Sequence, residues 1–135
     1  MDTLKKFVQN DHFAHHLGVE MLEYGNGRAR AKMTLQKHHL NSAGMTHGGA
    51  IFSLADAVFS AASNSHGTLA VAINVSISFF KAVKEGDLFA EGREISRNPK
   101  LATYIIDVTD GQGNAIALFQ GTVYRKKERL ADILS

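Results

Sequence analysis

Residues 46–67, THGGAIFSLADAVFSAASNSHG, decide the fold, because they predict one long helix that is apolar on nearly all sides. Two adjacent glycines open the run, and we expect the helix to extend over residues 47–65. A helix that is apolar around most of its circumference has to be covered around most of it. One sheet of this size covers one side only. We therefore expect a curved sheet and a partner subunit to share the covering of this helix.

Strand-like segments surround this helix in the sequence. Before it, residues 17–25 and 27–35 flank a Gly-Asn-Gly turn and predict a hairpin, whose second strand alternates apolar and polar side chains. After it come four strand-like runs separated by turn signals: residues 69–80, 87–97, 101–110 and 115–126. One helix followed by strands at hairpin spacing predicts an antiparallel sheet of about five to six strands and the α+β class.

The remaining segments complete a single predicted domain over residues 1–135. Residues 2–14 have apolar side chains at roughly helical spacing, and Gly18 is predicted to end this short helix. Residues 36–46 are polar and predict a loop. Residues 127–134 predict a short, frayed C-terminal helix.

Composition excludes several functions. Fifteen Lys and Arg residues balance thirteen Asp and Glu residues, and they are dispersed, so no nucleic-acid-binding surface is predicted. The chain has no cysteine, which excludes disulfides, thiolate zinc sites and a cysteine nucleophile. The first residues are too polar for a signal peptide, and no apolar run approaches the ~20 residues of a membrane span. A soluble cytoplasmic protein without membrane contact is the expectation.

A narrow polar stripe runs along the otherwise apolar helix. At about 100° per residue, its members fall on one face: Gly49, Ser53, Asp56, Ser60 and Ser63. Asp56 lies about two turns past the helix start, too far in to act as an N-cap. A buried carboxylate needs a hydrogen-bonding or charged partner. Asp56 either accepts hydrogen bonds from neighbours or across a subunit interface, or it faces a cleft as a base or nucleophile.

The helix start has the features of an anion-binding site. The first N–H groups of a helix lack intrahelical partners, and glycines at positions 48 and 49, after His47, would let a ligand oxygen approach them. Such a terminus suits a phosphate, a carboxylate or an oxyanion, although paired glycines also occur in plain turns. In the preceding loop, Asn41 has an amide that could orient a carbonyl or a water, or simply form a turn.

These residues together resemble the hotdog-fold acyl-CoA thioesterases, most closely the phenylacetate-degradation (PaaI) type. The resemblance rests on Asn41, on His47-Gly48-Gly49 six residues later, and on Leu54-Ala55-Asp56. It also includes Asn64-Ser65-His66-Gly67, Gly86-Asp87 and the run ALFQGT at residues 117–122, so it covers roughly residues 12–126. It implies a long helix wrapped by an antiparallel sheet, edge-to-edge homodimers, and often a homotetramer as a dimer of dimers.

The resemblance also implies roles for individual residues. The Gly48 N–H would polarise the thioester carbonyl, and Asp56 of the neighbouring protomer would act as nucleophile or as general base. Asn41 would position the water or the thioester, and His47 would shape the glycine turn that includes Gly49. Because Asp56 lies about 10 Å along the helix from the glycines at its start, each chain is expected to supply half of two active sites.

The resemblance assigns substrate contacts less directly. Ser63 would lie near the acyl group. Relatives often have Arg-Pro where this chain has Lys81-Ala82, so Lys81, Lys84 and Lys100 are candidates to contact the CoA phosphates or are simply solvated.

Other chemistries have weaker signals. His12 and His16 are spaced as two metal ligands on one helix face would be, but the glutamate of the HExxH motif is missing, so no metal and no cofactor are predicted. The chain has neither a GxSxG elbow nor a P-loop.

The leading hypothesis is an acyl-CoA thioesterase that acts on phenylacetyl-CoA or another aromatic or medium-chain acyl-CoA. The alternative is a non-catalytic acyl-CoA-binding or regulatory domain of the same fold. Hydratase chemistry on enoyl thioesters would require a different motif at the start of the helix.

Overall fold

The computed structural model describes residues 2–134. Met1 and Ser135, the ends of the predicted domain, lie outside this range. The described elements follow in chain order: α1 (Thr3–Gln9), α2 (His12–Leu17), β1 (Val19–Gly25), β2 (Arg28–Thr34), a 3₁₀ turn (Lys37–His39), α3 (Gly48–Ser63), β3 (Thr68–Phe79), β4 (Asp87–Arg97), β5 (Leu101–Asp110), β6 (Ala115–Arg129) and α4 (Leu130–Ile133).

The six strands form one antiparallel sheet in the order β1-β2-β4-β5-β6-β3. Helix α3 contacts all six strands. A flat sheet of six strands would be about 24 Å wide, more than twice the diameter of a helix. The sheet must therefore curve around α3. The predicted α+β class and strand number are confirmed.

Helix α3 is buried on most of its circumference, as its composition predicts. Ten of its sixteen residues are buried, among them Leu54, Ala55 and Val58. Two strand glycines let the helix approach the sheet closely. A Cβ atom on Gly121 would lie 2.6 Å from the Phe59 ring, and one on Gly92 would lie 2.8 Å from Val58.

The hairpin β1–β2 forms around the predicted turn. Asn26 and Gly27 have φ values of 53° and 76°, which is the left-handed region that both central residues of a type I′ turn require. In β2, Ala29, Ala31 and Met33 face the core, and the side chains between them face outward. The period of two in this strand is confirmed.

The two ends of the chain differ from their predictions. The single helix predicted over residues 2–14 is two helices, because Asn10 ends α1 and Asp11 caps α2 by accepting a hydrogen bond from Ala14 N at 3.0 Å. Gly18 ends α2 with a φ of 84°, as predicted. The predicted C-terminal helix at residues 127–134 is only Leu130–Ile133, because β6 continues in the sheet as far as Arg129.

The two edge strands of the sheet are unequal. β1 has seven residues and a register shift between Met21 and Glu23. β3 has twelve residues, no charged side chain and no proline, and it exposes Val71, Ile73 and Phe79. A long apolar edge without charges or proline is a surface on which another strand can pair.

No helix among residues 2–134 is long and apolar enough to cross a membrane.

Candidate active site

Helix α3 begins with an N-cap that only glycine permits. The Nδ1 atom of His47 accepts a hydrogen bond from the backbone N–H of Gly49 at 2.8 Å. A Cβ atom on Gly49 would lie 2.9 Å from that nitrogen, so any other residue at this position would displace the His47 ring. The predicted part of His47 in shaping the glycine turn therefore has a geometric basis. The N–H of Gly49 is already used and is not available to a ligand.

The N–H of Gly48 remains available. Gly48 is the first residue of α3, so its N–H has no intrahelical acceptor, and it makes no other hydrogen bond to the residues that the structure describes. A Cβ atom on Gly48 would lie 3.4 Å from the ring of Phe79, which is the last residue of β3. The free Gly48 N–H therefore lies at the start of α3, next to the end of the long edge strand β3. Phe79 was not identified from the sequence, because only the register of β3 brings it to this place.

Asn41 closes the turn that precedes the helix. Its Oδ1 atom accepts hydrogen bonds from Ala43 N at 2.9 Å and from Met45 N at 3.1 Å. Asn41 is therefore a turn former. Its exposed side-chain nitrogen makes no hydrogen bond within residues 2–134, so the same residue can also donate a hydrogen bond to a ligand or a water.

Two residues that sequence reasoning missed hold this loop in place. Thr46 binds the Val83 carbonyl oxygen twice, through its backbone N–H at 2.8 Å and through its hydroxyl at 2.6 Å. His39 is 1% exposed, its Nε2 atom donates to Leu17 O, and its carbonyl accepts the backbone N–H of His47. In the sequence His39 is one of an adjacent histidine pair, and only its burial distinguishes it.

Asp56 is half-buried on α3 and has no hydrogen-bonding or ion-pair partner among the described residues. Burial raises the pKa of its carboxyl above the ordinary value, and the negative charge of Asp11 raises it further. Asp11 is the N-cap of α2 and was not singled out from the sequence. The sequence left open whether Asp56 accepts hydrogen bonds from neighbouring hydroxyls, and no such bond occurs in the described part of this chain. Two alternatives remain, in which the carboxylate faces either a cleft or a partner subunit.

The rest of the polar stripe is only partly accessible. Ser53 and Ser60 are half-buried, and the Ser53 hydroxyl donates to Gly49 O at 2.7 Å. Ser63, which was expected near the acyl group, is 3% exposed, and its hydroxyl donates to Ser60 O at 3.3 Å. Within this chain Ser63 is therefore a buried helix residue, and a contact with substrate stays a prediction.

The three candidate lysines are exposed but do not lie together. Lys81 and Lys84 lie in the loop after β3, whose Val83 is bound to Thr46 just before the helix start. Lys100 lies in the turn between β4 and β5, and Lys81 is near Asp110 at the far end of β5. Since β5 has ten residues, about 33 Å separate its two ends. Only Lys81 and Lys84 lie at the same end of the molecule as Gly48.

The histidines do not gather into a metal site. Among residues 2–134, no group of three or more His, Cys, Asp and Glu side chains could hold a metal ion. His12 and His16 are both exposed on α2.

The free groups of the site suit acyl transfer. A backbone N–H at a helix start can stabilise an oxyanion that forms on an attacked carbonyl. A carboxylate of raised pKa can accept a proton or attack a carbonyl carbon. Gly48 and Asp56 lie about 12 Å apart along one helix, too far to act together on one carbonyl group.

Comparison with known proteins gives consistent matches. The chain matches the thioesterase superfamily over residues 43–117. A protein of Archaeoglobus fulgidus named "Putative esterase" is 48% identical over 130 residues, which are 95% of this chain and 84% of that protein. The acyl-coenzyme A thioesterase PaaI of Escherichia coli is 34% identical over 118 residues, which are 87% of this chain and 84% of that protein. A solved structure of Escherichia coli PaaI, from the phenylacetic acid degradation operon, has a TM-score of 0.90 at 30% identity, covering 94% of this chain and 93% of that one.

A long helix wrapped by one six-stranded antiparallel sheet, with a free N–H at the helix start and a carboxylate along it, defines a hotdog-fold protein. The chain belongs to the thioesterase superfamily, in its PaaI-type branch, and is a thioester hydrolase. The resemblance that the sequence motifs predicted is confirmed.

Proposed function

We propose that this protein hydrolyses acyl-CoA to a free carboxylic acid and CoA. The observation that carries the proposal is that Gly48 N–H and the half-buried Asp56 carboxylate have no partner among the described residues, although every buried side-chain nitrogen and oxygen atom within residues 2–134 has a hydrogen-bonding partner. Unpartnered groups on a rigid helix are available to a ligand. The Escherichia coli relative named an acyl-coenzyme A thioesterase supports CoA as the carrier.

In the proposed reaction the carbonyl oxygen of the thioester accepts the hydrogen bond of Gly48 N–H. Asp56 takes a proton from water, and the water oxygen attacks the carbonyl carbon. The C–S bond then breaks, and the leaving thiolate of CoA receives that proton. The alternative route, in which Asp56 attacks first and water releases the acid from an anhydride, uses the same two groups. Asn41 would position the water or the thioester through its free amide nitrogen.

The proposed active unit is a homodimer that pairs through β3. This edge strand is long, uncharged and apolar, and its last residue, Phe79, lies against Gly48. A second copy paired to this edge lies beside the helix start, where its Asp56 can reach the Gly48 of the first chain. Two such dimers would form the homotetramer that the sequence predicts. The chain, proposed to be one domain over residues 1–135, then supplies half of each of two sites.

The proposed substrates are phenylacetyl-CoA and other aromatic or medium-chain acyl-CoA thioesters. The name of the operon from which the Escherichia coli relative comes supports the aromatic acyl group. Lys81 and Lys84 are proposed to meet the CoA phosphates at the start of α3, and Lys100 is a third candidate at the other end of β5. The predicted cytoplasmic location stays a prediction.

Release of free thiol from a panel of acyl-CoA thioesters tests this function with Asp56→Asn. We expect kcat to fall by about 10²–10⁴-fold, the usual contribution of a general base. The melting temperature should stay equal or rise, because a carboxyl whose pKa is raised in the folded state makes folding less favourable when it is ionised.

The matched control is Asp107→Asn, which makes the same chemical change on an exposed position of β5 and should retain wild-type kcat. Equal turnover by wild type and Asp56→Asn would refute the proposed role. Binding of acyl-CoA without thiol release by the wild type would favour the non-catalytic binding domain instead.

A further inference from the structure

Phe79 is an apolar side chain at the edge of the candidate active site. It is the last residue of β3, and its partner across the ladder is Ala117 of β6, which is buried. Because opposite residues of an antiparallel pair lie on the same face of the sheet, the Phe79 side chain lies on the face that covers α3. It is nevertheless 51% exposed. About half of its surface is therefore free to contact a ligand.

The tip of the Phe79 ring is directed at Gly48. A Cβ atom on Gly48 would lie 3.4 Å from Cζ of this ring, 3.6 Å from Cε1 and 3.9 Å from Cε2. A thioester oxygen that accepts the Gly48 N–H would lie about 2.9 Å from the nitrogen. Two groups are bonded to the same carbonyl carbon, the acyl chain and the sulfur. One of these two groups would then lie beside the edge of the Phe79 ring.

The loop after β3 indicates which group this is. Lys81 and Lys84 are exposed in this loop, and the bond between Thr46 and the carbonyl of Val83 holds the loop beside the start of α3. If these lysines meet the CoA phosphates, as proposed above, the CoA arm leads from the carbonyl carbon past Phe79 toward them. The sulfur is the first atom of that arm. The sulfur would therefore lie on the Phe79 side, and the acyl chain on the other.

We propose that Phe79 is a specificity-determining residue whose ring edge contacts the thioester sulfur, an inference that rests on the proposed function. A polarisable sulfur atom makes a favourable contact with the edge of an aromatic ring, at about 5 Å from the ring. An ester oxygen is smaller and less polarisable, and it gains less from the same ring. Phe79 therefore favours thioesters over oxygen esters of the same acid.

Enzyme kinetics on two esters that differ in one atom test this contact. Phe79→Leu keeps an apolar side chain and removes the aromatic edge. The substrates are phenylacetyl-CoA and its analogue with oxygen in place of the thioester sulfur, and release of phenylacetate is measured for both. We expect the ratio of kcat/KM for the thioester to that for the oxygen ester to fall by about two- to tenfold, the range of a sulfur–aromatic contact. Loss of folded protein would lower both rates equally and leave this ratio unchanged.

The matched control is Phe80→Leu, the same change at the next residue, which is 58% exposed and lies outside β3. It should keep the wild-type ratio. If Phe79→Leu also keeps that ratio while thioester hydrolysis persists, the sulfur contact is wrong and the proposed function stands. An equal fall in both variants likewise overturns the contact, since it would not distinguish Phe79 from its neighbour.

A second measurement separates the two proposals when the wild type hydrolyses no CoA thioester, in which case the proposed function fails. Calorimetry then compares the binding of S-phenethyl-CoA, a thioether without an ester bond, with that of its analogue in which a methylene replaces the sulfur. Phe79→Leu should lower the ratio of the two affinities by about twofold or more, and Phe80→Leu should not. Equal ratios in all three proteins, or no binding of either compound, overturn the sulfur contact.

Discussion

The two ends of α3 use their polar groups in opposite ways. At its C-terminal end, Asn64 is 2% exposed, its Oδ1 accepts the backbone N–H of Ala70 at 2.9 Å, and its Nδ2 donates to Ser60 O at 2.9 Å. The next residue, Ser65, donates through its hydroxyl to Ala62 O and accepts the N–H of Gly27. Every one of these groups has a partner.

A partly buried network continues this pattern. The Glu94 carboxylate accepts hydrogen bonds from His66 Nε2 at 2.7 Å and from Tyr104 OH at 2.5 Å. Burial alone would raise the pKa of Glu94, but these two hydrogen bonds and the charges of His66 and Arg97 lower it below its ordinary value. Burial and the bond to Glu94 raise the pKa of Tyr104. The network ties the segment after α3 to β4 and β5.

Polar groups at the start and middle of α3 and in the loop before it lack such partners. Within residues 2–134, Gly48 N–H, the side-chain nitrogen of Asn41 and the Asp56 carboxylate have no hydrogen-bonding partner. Polar groups with partners stabilise the fold, whereas polar groups held without partners in a rigid frame are available to a ligand. The contrast favours a structural role for the C-terminal end of the helix and a chemical role for its start and middle.

The largest effect that this comparison predicts is loss of activity in Gly48→Pro. Proline at the first helical position removes only an N–H that has no intrahelical acceptor, and the extended backbone of His47, with ψ at 135°, is compatible with a following proline. We expect kcat to fall by about 10²–10³-fold, as for loss of one oxyanion donor. Thermal unfolding should change little.

The control for this substitution is Gly48→Ala, which keeps the N–H. Its Cβ atom would lie 3.4 Å from the Phe79 ring, an ordinary contact. Proline and alanine variants that both retain wild-type activity would mean that the Gly48 N–H takes no part in the reaction.

At the other end of the helix, Asn64→Ala should damage stability and spare the chemistry. The substitution leaves the buried N–H of Ala70 without its acceptor, which costs about 1–3 kcal/mol of unfolding free energy. Urea denaturation measures this loss, and kcat per folded molecule should equal that of the wild type. An Asn64→Ala variant that is as stable as the wild type but inactive would contradict the structural role assigned to this end of the helix.

The smallest expected effect is on pH dependence. Because the pKa of Asp56 is raised above its ordinary 3.8, activity that needs the carboxylate is lost at a higher pH on acidification than for an ordinary aspartate. Asp11→Asn removes the like charge, so the pKa of Asp56 falls. The acidic limb of the pH profile of kcat/KM should then move to lower pH. The shift should be modest, since burial is the larger cause. A limb that stays in place or moves to higher pH would contradict this electrostatic account.

Most of the fold could be predicted from the sequence because local patterns determine it. The apolar circumference of α3, the period of two in β2 and the turn at Asn26 are each encoded within a few residues. The chain ends were predicted less well. Whether residues 2–14 form one helix or two depends on the cap that Asp11 supplies, and the length of β6 depends on pairing with β3, where Thr68 lies opposite Arg129.

The candidate site could be predicted only where its residues are close in sequence. The motif from Asn41 to Asp56 identified the free groups at the start and middle of α3. Phe79 and Asp11 reach this region through strand register and helix packing, which no local pattern encodes. A cavity beside Asp56 was likewise invisible in the sequence, because α1, α2, β1 and α3 line it together.

The central claim is that each active site combines Gly48 of one chain with Asp56 of another. Co-expression of Gly48→Pro and Asp56→Asn chains with different affinity tags allows the mixed dimer to be purified. In a twofold dimer one of its sites then has both wild-type groups, and the other has neither.

The account predicts that the mixed dimer recovers about half of the wild-type kcat, although each parent variant is nearly inactive. If Gly48 and Asp56 of the same chain acted together, every site in the mixed dimer would carry one defect. Activity of the purified mixed dimer no higher than that of the parents would contradict the shared active site.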